Sequence, residues 1–112
     1  MSQELTKAQK RRLRDLAGLA YGRELAAASE ALLGEFHRWN NKEIDVFELN
    51  EKIHEFHNGI SRTLYGRYVG MDPKFGVAHA IQSGVLKRVE IDDDIFALVS
   101  GMVEVLSSSA FK

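Results

Sequence analysis

The chain predicts an all-α fold, on three observations. Ala, Leu, Glu, Lys and Arg recur throughout while strand-favouring runs are few. Its 112 residues contain a single proline, and apolar side chains recur at steps of three and four over most of the length. These spacings give a four-helix, bundle-like arrangement with helices over about 4–39, 45–69, 72–86 and 92–106. A long antiparallel helical hairpin is expected, covered by two shorter C-terminal helices in one domain with a single core.

Ser2 or Thr6 can cap the first helix. Its main seam is Leu13, Ala17, Tyr21, Leu25, Ala28, Leu32, Phe36 and Trp39, a regular stripe that reads as a core face. A thinner seam, Leu19, Gly22, Ala26, Ser29 and Leu33, lies on nearly the opposite side. Two apolar seams need two neighbours, so either the fold wraps both sides or the second seam meets another copy of the chain. The small residues permit close helix approach, and this seam is the expected oligomer interface. The short polar link Asn40-Asn41-Lys42-Glu43 favours antiparallel return.

In the central stretch, Ile44 to Val69, the residues Val46, Leu49, Ile53, Phe56, Ile60 and Leu64 fall on one helical face. Beside them runs a border of Asn50, His54, His57, Ser61, Phe47, Tyr65 and Tyr68; Glu48, Glu51, Lys52, Glu55 and Arg62 face water. Folding back at the link sets Phe36 near Leu49, Leu32 near Ile53, and Leu25 near Ile60. Asn58-Gly59 is a turn signal, yet the apolar phase passes through it unbroken, which predicts one continuous helix. Mid-helix glycine costs about 1 kcal/mol against alanine, so Gly59 and Gly66 suggest close approach by another backbone.

Gly70-Met71 ends that helix, and Asp72-Pro73 starts the next with an acid cap and a proline at the first helical position. Phe75, Ala78, Ile81 or Gln82, and Val85 give it a modest core face, with Gly84 near its end. Val85 to Ile91 reads as a helix tail and an extended connector. Asp92-Asp93-Asp94 opens a last helix with Ile95, Leu98 or Val99, Met102 and Leu106 inward, and Ser107 to Ser109 are expected to fray.

Cysteine is absent, which excludes disulfides, thiol chemistry and cysteine-based metal sites. A net charge of −1 gives no global attraction to nucleic acid or acidic membrane. No apolar run approaches the ~18 residues of a membrane span and the start lacks a signal-peptide pattern, so a cytoplasmic, membrane-free setting is expected.

The chemically capable residues form three groups. His54-x-x-His57, with Glu51 upstream, is the candidate metal pair, since i,i+3 side chains on a helix can converge on one ion. Glu51-x-x-His54 resembles the ligand pair that di-iron helical bundles take from each of two helices, although Glu24, Glu30 and Glu35 on the first helix have no histidine three residues on. Glu24, at the seam's margin, can meet His57, Ser61, Arg62 or Tyr65 in a polar network or ligand site. Mid-helix Ser61 has no free backbone N–H groups to stabilise an oxyanion, so the set reads as structural rather than catalytic. Lys7, Lys10, Arg11, Arg12 and Arg14 form the one basic cluster, suited to phosphate or an acidic partner but flanked by Glu4 and Asp15. Glu48-x-x-Glu51 and Glu90-x-x-Asp93 resemble the acidic pairs of all-α nucleotide pyrophosphohydrolases; His37 and His79 read as surface or boundary histidines.

The expected role is a small non-enzymatic helical interaction or regulatory module, self-associating as a dimer or meeting a protein partner, with no cofactor. The alternatives are a metal- or ligand-binding bundle using His54, His57 and Glu24, and a nucleic-acid-binding module using the basic N-terminal helix.

Overall fold

Thr6 Oγ1 accepts the Gln9 N–H at 3.0 Å while Gln9 Oε1 accepts the Thr6 N–H at 3.1 Å, a reciprocal box that satisfies two end donors and starts α1, Lys7–Asn40. The computed structural model describes residues 4–109, so Ser2, the other candidate cap, lies outside the described residues. The reversal after α1 turns through Lys42 in the left-handed region, at φ 63°. Asp45 then caps α2, Val46–Phe56, by accepting the Glu48 N–H at 2.8 Å.

The central helix is continuous, as its apolar phase predicts, but it is not uniform. Between α2 and α3, Arg62–Tyr68, the segment His57–Ser61 widens into a π turn around Asn58-Gly59. Such a turn inserts one residue and rotates everything downstream. Ile60, phased inward on a regular helix, is left 41% exposed. Gly59 and Gly66 have open space where a Cβ would stand, so close approach does not explain them.

Asp72 caps α4, Pro73–Gln82, through the Lys74 N–H, with Pro73 at the first helical position. This helix stops earlier than its spacing predicts, because Gly84 takes a φ of 83° and turns the chain. A single 3-10 turn, Arg88–Glu90, interrupts the connector. The last helix, α5, runs Asp93–Ser109 and keeps the serines expected to fray within it. No strand occurs among the described residues, and no helix among them is long and apolar enough to cross a membrane.

One core lies at the base of the hairpin. Leu13, Leu16, Ala17 and Ala20 of α1 meet Leu64 and Tyr68 of α3, Val77, Ala78 and Ala80 of α4, Leu86 and Ile91 of the connector, and Ile95 and Val99 of α5. Nothing from α2 joins that cluster. The two C-terminal helices are too short to reach farther: α4 is about 15 Å long and α5 about 25 Å, against about 50 Å for α1. They therefore cover one side of the lower hairpin and leave the rest as a two-helix arm. The extents of 59 × 33 × 24 Å and the 17.4 Å radius of gyration record this shape; a compact chain of similar length has a radius of about 13 Å. The expectation that Phe36, Trp39, Val46 and Ile53 line a core is corrected accordingly, since all four are exposed.

Candidate functional site

Helical phase gives the arm two unlike sides. On one, the groove between α1 and α2 is lined by Glu35, Lys52 and Glu55 together with Ala28, Ala31, Leu32, Phe56 and Ile60. Rotation by about 100° per residue sends Phe36 of α1, and Val46, Asn50 and Ile53 of α2, to the other. That side continues down α1 through exposed Ser29, Gly22 and Gly18 and meets charge at Arg14, Arg11 and Asp15.

The seam picked out as an oligomer interface borders this surface. Leu19 is 43% and Leu33 48% exposed, and Gly22, Ala26 and Ser29 are exposed between them. Gly18 and Gly22 have no atom within 4 Å of a Cβ built on them, so contacts within the chain do not require glycine there. Phe47, at 79% exposure the barest phenylalanine of the arm, extends the apolar surface onto α2.

Sequence reading missed Phe36, Val46 and Ile53 as surface residues because periodicity reports that a face is apolar, not what covers it. The signal available was length. A 34-residue α1 cannot be covered by a 10-residue α4 and a 17-residue α5.

Glu24 does sit in a polar network, with other partners than the ones its register suggests. Its carboxylate accepts Arg67 Nη1 at 3.2 Å and the Tyr68 hydroxyl. Burial, followed by the Glu24 hydrogen bond, pushes the Tyr68 phenol upward. The Tyr68 ring stacks on Tyr21 with centroids 5.8 Å apart, which fixes the hydroxyl where Glu24 receives it. Neither Ser61, Arg62, Tyr65 nor His57 takes part. Ser61 is half-buried, while Arg62, Tyr65, His54 and His57 are exposed. The π turn accounts for the exchange, because the extra residue carries Tyr68 round to α1.

Among the described residues no three of His, Asp and Glu stand close enough to share a metal ion, so His54 and His57 have no third ligand beside them. The basic cluster is divided. Arg12 Nε donates to Asp92 at 3.1 Å and its Nη2 to the Glu90 carbonyl, which ties α1 to the start of α5. Lys7, Lys10, Arg11 and Arg14 are exposed. Of the acidic pairs, Glu90 is committed to Arg23, whose guanidinium binds both its oxygens at 2.9 and 2.6 Å and holds its carboxyl down at about 2. His79 is the one half-buried histidine among the described residues, and burial, reinforced by Arg67, lowers its pKa.

A comparison with family models, curated proteins and solved structures finds no match for this chain.

Proposed function

We propose that the chain is a non-enzymatic helical interaction module that self-associates through the uncovered side of its hairpin, with a second copy as the occupant. The observation that carries this reading is the apolar, charge-poor surface from Gly18 to Phe36 on α1 and from Val46 to Ile53 on α2, standing outside a base that already has its own core. Helices with an apolar stripe are stable when another layer covers it. Two hairpins related by a two-fold axis supply that layer to each other and make a four-helix bundle of the two arms.

Size supports the same occupant. From Leu19 to Trp39 the α1 side of the surface is about 30 Å long, and α2 widens its far end to about 20 Å. A stable interface needs roughly 800 Å² per partner, which such a ridged surface can provide. Each large apolar side chain taken from full exposure to full burial contributes about 1.5–3 kcal/mol, so half-exposed Leu33, Phe36, Val46 and Ile53 together offer several kcal/mol. Glycine at 18 and 22 costs about 1 kcal/mol each in an isolated helix. Close approach by a partner helix gives those glycines a use that the single chain does not.

Sedimentation at micromolar concentration tests the reading, with Leu19→Glu, Ala26→Glu and Leu33→Glu as variants. The native chain is expected to dimerise, and Leu33→Glu, beside Phe36, to weaken the dimer most. A chain that stays monomeric, or a dimer indifferent to all three changes, removes it.

A further inference from the structure

On the side of the base away from the hairpin surface, α3, α4 and α5 enclose a groove of about 890 Å³. Its walls are almost wholly apolar, with Met71 and Phe75 at one rim and Met102 and Val105 at the other. Val105 is 65% exposed, although α5 is otherwise committed to the core through Ile95 and Val99. Among the described residues three polar side chains line the groove, Thr63, Arg67 and His79, and no carboxylate does. Arg67 reaches its partner Glu24 through Nη1, which leaves Nη2 and Nε without a hydrogen-bond acceptor among the described residues. Beside it, His79 Nδ1 is buried and has no hydrogen-bond partner among the described residues.

A cleft of this volume is in the range of small-molecule sites, which are mostly apolar and carry a few convergent polar groups. Methionines on two walls suit an elongated, adaptable apolar body. The head group follows from charge. An arginine with spare donors attracts a planar oxyanion, and the groove offers no acid to hold a cation. We infer that the groove binds a single-chain amphipathic carboxylate, its hydrocarbon along Met71, Phe75, Met102 and Val105 and its head at Arg67 and His79. The site is separate from the hairpin surface, so it stands or falls independently of self-association.

Gly101 supplies the test, because it lines the groove and a Cβ there meets nothing within 4 Å. Gly101→Phe fills the groove from an exposed helical position. Calorimetric titration of the full chain uses dodecanoate below its micelle concentration, with dodecanol and dodecylamine as matched tails bearing other heads. Dodecanoate is expected to bind about tenfold or more tighter than either, and Gly101→Phe to abolish binding with melting temperature and oligomeric state unchanged. Arg67→Gln is expected to bring the carboxylate-to-alcohol ratio close to one, a readout that a merely structural role for Arg67 leaves alone. Dodecanoate bound equally by Gly101→Phe, or dodecanol bound as tightly as dodecanoate, overturns the assignment. So does a change of oligomeric state in Gly101→Phe, which would make the groove a contact between copies.

Discussion

At Gly76 a Cβ would stand 2.8 Å from Tyr68 Cδ1 and 3.3 Å from the Arg67 carbonyl oxygen. The glycine lets α4 lie against the ring whose hydroxyl serves Glu24. Gly76→Ala must displace that ring or shift the helix, a cost of about 1–3 kcal/mol for overpacking. Urea unfolding measures it; an unchanged midpoint would show that the ring swings aside freely. Tyr68→Phe keeps the packing and removes one donor from Glu24, and is expected to cost about 1 kcal/mol. Glu90 contributes to the acid limb. Its folded pKa of about 2 lies below the ordinary 4.5, so its contribution is complete above 4.5 and is lost as pH falls from there toward 2. Urea midpoints over that window should fall with acidification, and less steeply in Glu90→Gln. Glu24 could be singled out from sequence because it borders an apolar seam, whereas Arg67 and Tyr68 could not. Their approach depends on the rotation introduced at His57–Ser61, and no residue type there specifies a π turn.

Helix starts were the most legible features of the elements. Thr6 and Asp72 cap where the sequence offers them, and Pro73 takes the position where its missing N–H costs nothing. Ends were less so, since the modest periodicity of Phe75, Ala78 and Val85 continues past the turn that Gly84 imposes. The hairpin itself follows from a four-residue polar link between two strongly periodic segments. Gly34 separates local propensity from assembly. It has open space around its Cβ position and lies on the side of α1 away from the proposed interface, so Gly34→Ala is expected to stabilise the chain by about 0.5–1 kcal/mol. Thermal unfolding should show a higher midpoint at unchanged mass. A lower midpoint would mean that something not seen in the single chain packs there.

The molecule as a whole has a finished base and an unfinished arm. The base carries the core, the Glu24 network and the groove, and ion pairs from Arg12 to Asp92 and Arg23 to Glu90 bind α1 to the connector and the start of α5. In the arm, Ile44 and Leu49 are buried while Phe36, Val46 and Ile53 are not. The proposed pairing of two arms completes the missing layer and leaves both grooves outward. Because the chain contains no cysteine, spin labels can be placed one site at a time. Asn50→Cys puts a label on the uncovered side of α2, and Glu55→Cys puts one on the charged side. Pulsed dipolar spectroscopy between copies then measures the arrangement directly. Association through the hairpin surface predicts a distance between Asn50 labels shorter by roughly 20 Å, two helix diameters, than that between Glu55 labels. No coupling between copies at either site, or a shorter distance at Glu55, contradicts it.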